Sequence, residues 1–238
     1  EEKRKDDIYL TICGFGMGNY KDNRMEQISN AGNGNYFYID NIKEAEKVFV
    51  KEMRANLFTI AKDVKIQIEF NPVYVKSYRL IGYENRKLRN EDFDDDSKDA
   101  GELGAGHTVT AIYELVPNSG ELTAGQQLSY QQTTVREQAL KSGEMMQVKF
   151  RYKPPKSDKS KLLTHKVTKD VKPLASTSAN FRFSAAVAEF GLLLRNSRYK
   201  GTSNYNQVLE MAKKAKGRDE QGYRNEFISL VDRARLLK

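Results

Sequence analysis

The hydrophobic pattern of this chain changes its period at residue 64, so two different architectures must be joined near residues 58 to 63. Upstream, short apolar runs alternate with helix-spaced ones. The run IYLTIC, from Ile8 to Cys13, reads as a buried strand ending at a glycine cluster, a helical stretch follows around Met25 and Ile28, and YFYI makes a second strand. Ala45, Val48, Phe49 and Met53 then recur at i, i+3, i+4 and i+8 behind Asp40 or Asn41 as the cap. Strand and helix alternating in this way imply a parallel sheet, because parallel strands need a crossover between them. The glycines of Asn30-Ala31-Gly32-Asn33-Gly34 are expected to supply left-handed backbone at the helix end.

From residue 64 the pattern has a period of two. Val64, Ile66, Ile68 and Phe70 are expected inward, with Lys65, Gln67 and Glu69 outward. Further alternating runs follow at 73–80, at 108–116 with Val109, Ala111, Tyr113 and Leu115 inward, and at 146–152 with Met146, Val148, Phe150 and Tyr152 inward. Strands separated by Asn, Gly and Pro turns suggest an antiparallel sandwich or barrel. Residues 153–175 hold two tandem prolines and the strand-like LLTHKV, read as a hairpin arm or ordered linker. The remainder is helical, with stripes Phe183/Val187/Phe190/Leu194, Tyr205/Val208/Leu209/Ala212 and Phe227/Val231/Ala234 punctuated by Gly201 and Gly217. The expected class is α+β: a partial doubly wound α/β unit over 1–60, an antiparallel β sandwich-like domain over 61–175 and a helical C-terminal subdomain over 176–238.

The net charge of +8 conceals an asymmetry, since residues 1–135 carry 17 Lys and Arg against 22 Asp and Glu, and residues 136–238 carry 23 against 10. A basic half can attract an anionic polymer, although charge speaks first to solubility and non-specific attraction. No apolar run approaches the roughly 20 residues that a membrane helix needs. One cysteine, Cys13, excludes an internal disulfide framework, and its apolar setting reads as a small buried hydrophobe. The start EEKRKDD has no signal-peptide pattern and no initiator methionine, so the chain reads as part of a longer product.

The stretch GFGMGNYKDNRMEQISNAGNGNYFYIDNIKEAEKVF resembles the last two strand–helix units of a bacterial von Willebrand factor type A domain. Residues 91–117, EDFDDDSKDAGELGAGHTVTAIYELVP, and 180–234, beginning NFRFSAAVAEFGLLLRNSRYKG, resemble the C-terminal domain of the YfbK-like subclass. That resemblance implies an extracytoplasmic protein, periplasmic or outer-membrane-associated and often a lipoprotein, whose type A domain binds a partner through a divalent cation. The cation motif DxSxS and its accompanying threonine and aspartate would all precede Ile8, and none is present. The cation is therefore expected in a full-length protein, and no cofactor is expected in these residues.

Several local patterns invite functional readings. GFGMG at 14–18 follows a strand, but a dinucleotide loop needs glycine at 19, where Asn19 stands, so a tight turn is expected. Asp92, Asp94 and Asp96 imitate the first half of a calcium loop; Ser97 and Leu103 occupy positions where glycine and glutamate would be needed, so a solvated acidic loop is expected. His107 with Glu102 nearby would be the base of a hydrolase, yet two histidines in the chain offer little for a catalytic constellation, and a hydrogen-bonded structural histidine is expected. Residues 149–172 hold nine Lys or Arg against Asp158 and Asp170, but the aromatics that would stack on bases stop at Tyr152. No nucleic-acid partner is expected.

The sequence thus points to a non-catalytic protein-interaction or scaffolding module, with anionic-polymer binding by the basic half as the alternative and a His107 hydrolase behind it. The strand at Ile8 to Cys13 would present an open sheet edge, which invites pairing and hence self-association or cover by another chain.

Overall fold

The computed structural model describes residues 8–16, 21–83, 87–118 and 135–237. Two compact units share the chain, one formed by residues 1–70, 88–109 and 146–167, the other by 71–87, 110–145 and 168–238. Both are assembled from separated segments of the chain.

In the first unit, β1 (Ile12–Phe15) and β2 (Tyr36–Ile39) pair in parallel, Ile12 opposite Tyr36 and Phe15 opposite Ile39, with α1 (Asp22–Ala31) as the crossover. The strand expected over Ile8 to Cys13 is thus displaced toward its C-terminal end. Its first half is used otherwise, the Leu10 amide donating to the Gly32 carbonyl at 3.0 Å. Among the described residues no further strand lies beside this pair. The glycine run does not work by left-handed backbone as expected. Asn33 carries the positive φ of 49°, whereas Gly32 and Gly34 are there for close approach: a Cβ on Gly34 would lie 1.8 Å from the Leu10 carbonyl oxygen.

Helix α2 (Ile42–Glu46) starts at Asn41, whose side chain accepts from the Lys43 and Glu44 amides at 2.8 and 3.1 Å. A π-helical turn over Lys47–Lys51 then separates it from α3 (Met53–Leu57). The wider turn breaks the 3.6-residue phase, so of the expected stripe Val48 is buried and Phe49 and Met53 are exposed.

Strand β3 (Thr59–Phe70) is the hub of a four-stranded sheet in the order β5, β3, β7, β8, with β5 at Gly101–Gly104, β7 at Glu144–Lys153 and β8 at Lys161–Thr168. It runs antiparallel to both β5 and β7. The register against β7 shifts between Lys62 and Lys65, where Asp63 has a φ of 49°. Just past that irregularity Lys65 and Ile66 exchange faces, whereas further along Glu69 is exposed and Ile68 and Phe70 are half-buried, in the expected phase. Lys65 is only 2% exposed, while Ile66 is 53% exposed. Strands β7 and β8 realise the hairpin-arm reading of 153–175.

In the second unit β4 (Val75–Ile81) pairs antiparallel with β6 (Ile112–Pro117), Ile81 opposite Ile112. The strand begins later than the run at 108–116, and Val109 is exposed, not inward. The short helix α4 (Glu137–Lys141) is held by Asn71, whose side-chain amide donates to the carbonyls of Ala139 and Glu144 at 2.9 and 2.7 Å. Helices α5 (Ala179–Leu194), α6 (Tyr205–Ala215) and α7 (Tyr223–Leu236) enclose a core of Ala186, Leu193, Val208, Leu209, Ala212, Ile228 and Val231. Each fully buried Leu, Ile or Val side chain in such a core contributes about 1.5–3 kcal/mol. The α6 stripe is as expected, but α5 turns Phe183, Ala186, Phe190 and Leu193 inward and leaves Val187 and Leu194 exposed. Phe227 sits edge-on to both Phe183 and Phe190, at 5.3 and 5.5 Å between ring centroids, which sets the rotation of α5. Overall the chain is of mixed helix-and-sheet type, with no closed barrel among the described residues.

Candidate functional site

The polar chemistry of the first unit gathers where the β3 irregularity meets the acidic loop. Lys65, forced inward by the shifted register, extends its amine to the carbonyl oxygens of Asp92, at 3.2 Å, and of Asp95. A buried ammonium is tolerated only when its donors are satisfied, and here the loop backbone supplies the acceptors. The loop is thereby fastened from beneath. Ser97 closes it locally by donating its hydroxyl, at 2.6 Å, and its amide, at 2.9 Å, to the Asp95 carboxylate, and these bonds, the hydroxyl's first, hold the Asp95 carboxyl below its usual range.

The three aspartates considered for calcium are divided among cations and do not converge. Arg89 holds Asp92 at 3.1 Å, and that hydrogen bond pulls the Asp92 carboxyl down. Arg151 reaches both Asp94, at 3.4 Å, and Asp96, at 3.0 Å, and Ser160 donates to Asp96, whose carboxyl is lowered first by that bond. Among the described residues no group of three or more His, Cys, Asp or Glu side chains is placed to hold a metal ion. The loop is thus solvent-exposed, Asp94 at 83% and Asp96 at 42% of their side chains, and ion-paired as well. The basic run beginning at Lys149 provides the partners: Lys149 pairs with Glu69 at 3.2 Å, and Lys153 with Asp63 at 2.7 Å. The Asp63 bond raises the Lys153 amine above its usual range.

Next to this network lies Glu102 in β5. Its Oε1 accepts from the Asn33 side chain at 3.4 Å, and the same Asn33 amide donates to Asp99 at 2.9 Å. Its Oε2 is buried without a hydrogen-bond partner. Burial, then the charges of Asp63 and Asp99, push the Glu102 carboxyl up to about 7. Asp63 is fixed beside it by accepting the Ala100 amide at 3.2 Å. Chemically, the arrangement holds one proton that is exchanged near neutrality. Gly104, two residues on, is required by close packing, since a Cβ there would fall 1.7 Å from the Ala55 carbonyl oxygen.

His107 is not part of this group. Its side chain is exposed and no hydrogen bond joins it to Glu102, while its backbone amide donates to the Gly104 carbonyl at 3.1 Å. The expectation of a hydrogen-bonded structural histidine is therefore corrected to a solvent-facing turn residue. Gly16 has a φ of 90° and its carbonyl accepts from the Tyr38 hydroxyl at 2.8 Å; Gly18 and Asn19 lie outside the described residues. Cys13 is half-buried, and burial pushes its thiol up, away from reactivity. Asn33, Asp63, Lys65 and Lys153 were not singled out by sequence reasoning; the only signal was an Asn between two glycines, and Asp63 and Lys65 lie within an apparently regular strand.

The helical unit has its own polar fastening. Arg224 donates to the Ala215 and Lys216 carbonyls at 3.2 and 3.0 Å and to the Asn180 side chain at 2.6 Å, with its guanidinium 4.8 Å from the Phe183 ring centre. One side chain thus closes the C-terminus of α6 and ties it to the first turns of α5 and α7.

Residues 55–237 match the family described as the C-terminal part of the uncharacterised protein YfbK, and the chain belongs to that family. A relative from Escherichia coli (strain K12), described as "Uncharacterized protein YfbK", is 42% identical over 238 residues, covering 98% of this chain and 40% of the relative. The chain thus spans well under half the length of that curated relative. No solved structure matches it.

Proposed function

We propose that the chain is a non-catalytic protein-interaction or scaffolding module of a bacterial cell-envelope protein, with residues 1–60 as the C-terminal part of a von Willebrand factor A-like domain. The observation that carries the reading is the exposed apolar surface of the first 58 residues. Phe15 at the end of β1, Ile42 at the start of α2, and Phe49 and Val50 in the π-helical turn are all exposed, Ile42 at 83%. A parallel pair is normally buried on both faces, and large apolar side chains left exposed around one are surface suited to being covered by protein. Two strands also form too small a sheet to stand alone. The divalent cation of type A domains belongs, on this reading, to residues preceding Ile8 in a full-length protein.

Site-specific photocrosslinking tests the reading. A photoreactive residue at Phe49 or Ile42 of the full-length protein, in cells, is expected to capture polypeptide in the envelope fraction, with loss of capture when Phe49 is replaced by lysine. Recovery of the protein in the soluble cytoplasmic fraction, without any crosslinked polypeptide, would refute it. The competing reading, retention of an anionic polymer by the basic half, predicts salt-sensitive binding to heparin that disappears when Lys161 and Lys166 of β8 are changed to glutamate.

A further inference from the structure

Helix α7 carries a second, outward stripe that the core does not use. Tyr223, Leu230 and Leu237 recur every seven residues and are 39%, 50% and 86% exposed, whereas Ile228 and Val231 on the opposite side are buried. Between them on the exposed surface lie Glu226 and Arg233, neither of which has an ion-pair or hydrogen-bond partner for its side chain among the described residues. The other charged pair of this turn, Asp232 and Arg235, is already joined at 2.7 Å.

We propose that this stripe is the contact surface for a second copy of the same chain, with the two α7 helices antiparallel about a twofold axis at Leu230. The argument is one of register. In an antiparallel pair centred on residue 230, a residue k positions before the centre faces one k positions after it, so Tyr223 meets Leu237 of the other copy and Leu230 meets itself. Glu226 lies four positions before the centre and Arg233 three after, which brings them to nearly the same height. Both lie about 40–60° to the same side of Leu230 on the helical wheel, and a twofold perpendicular to the helices keeps that side common to both copies. Each Glu226 therefore faces the other copy's Arg233, twice per dimer. A parallel pair separates these charges by about 10 Å along the axis and places each on the far side of the seam from its counterpart. The charge pattern thus selects the isologous antiparallel arrangement. The apolar stripe spans about 21 Å, so the interface is smaller than the roughly 1,200–2,000 Å² of a stable complex, and the association is concentration-dependent.

The test is sedimentation equilibrium of the full chain from about 1 µM to about 1 mM, the span of weak association. The wild type is expected to pass from monomer to dimer. Leu230→Glu, at a half-exposed position outside the helical core cluster, should change the thermal midpoint little and is expected to stay monomeric. Glu226→Arg and Arg233→Glu singly should each weaken the dimer by roughly tenfold, and the two together should restore it. A wild type that remains monomeric throughout, a dimer indifferent to Leu230→Glu, or single charge variants whose combination fails to restore association would each overturn the proposal. It is independent of the envelope reading, because its readout is the purified chain alone.

Discussion

Replacing Glu102 by glutamine keeps the shape of the side chain and removes its charge, so it isolates what ionisation at this position costs the fold. Burial and the neighbouring Asp63 and Asp99 charges raise the carboxyl from 4.5 to about 7. At 1.36 kcal/mol per pKa unit that shift corresponds to about 3 kcal/mol. Glu102 is only partly withdrawn from water, and solvent screening reduces the figure to about 1–2 kcal/mol. The sign follows from proton linkage. Below about pH 4.5 the carboxyl is protonated in both folded and unfolded chains, and no penalty exists. Between pH 4.5 and 7 the unfolded chain releases its proton while the folded one retains it, so stability falls as pH rises. Above about 7 both are ionised and the full penalty is present. Glu102→Gln should therefore match the wild type near pH 4 and exceed it by about 1–2 kcal/mol near pH 8. Urea unfolding followed by circular dichroism at half-unit pH steps measures this, and the difference between the two proteins cancels titrating groups distant from Glu102, leaving its own titration and that of the coupled Asp63 and Asp99. A stability difference that stays constant from pH 4 to pH 8 would refute the reasoning, as would a carboxyl titration by NMR that places Glu102 in the ordinary range.

Gly34→Ala should destabilise the β1–α1–β2 unit by about 3 kcal/mol or more, seen as early loss of amide protection in residues 8–58, because the new Cβ would enter the Leu10 carbonyl. Lys65→Met removes the amine beneath the acidic loop and strands two buried carbonyl acceptors, a loss of about 1–3 kcal/mol measured by urea unfolding. Arg224→Lys cannot reproduce the fork that spans α5 and α6, so it should lower the thermal midpoint nearly as much as Arg224→Ala. Millimolar calcium is expected to leave the thermal midpoint unchanged, since Asp92, Asp94 and Asp96 are engaged by Arg89 and Arg151; a rise would mean that the ion displaces Arg151.

The elements that the sequence made legible are those in which local pattern and tertiary environment agree. The α6 stripe and the YFYI strand are of this kind; the run 146–152 does fall within β7, but all residues of that strand are half-buried and the expected alternation does not show. Departures arose where a backbone irregularity resets the phase. The π-turn at Lys47–Lys51 moved Phe49 and Met53 off the buried face, and the shift at Asp63 exchanged Lys65 with Ile66. Neither irregularity involves a glycine or proline, the residues from which such breaks are usually read. Aromatic packing made a third departure: the Phe227 ring between Phe183 and Phe190 chose Ala186 and Leu193 over Val187 and Leu194 as core positions.

The Glu102 cluster was illegible for a related reason. Its members come from four separated segments, Asn33, Asp63, Asp99 with Glu102, and Lys153, and no spacing rule relates them. What brings them together is two non-glycine residues, Asn33 and Asp63, both held at a φ of 49°. Asparagine and aspartate accept that conformation more readily than other side chains, and each then uses its polar end within the cluster: Asn33 on Asp99 and Glu102, Asp63 on Ala100 and Lys153. Backbone conformation and polar contact are thus set by the same two residues. Alanine at either position would remove the contact and disfavour the turn together, whereas glycine would keep the turn and remove only the contact. Comparing Asn33→Gly with Asn33→Ala therefore separates the two roles, and because an amide that donates to the carboxylate favours its charged form, loss of the contact should raise the Glu102 titration further in both variants alike, whereas a shift in Asn33→Ala alone would assign the effect to the turn.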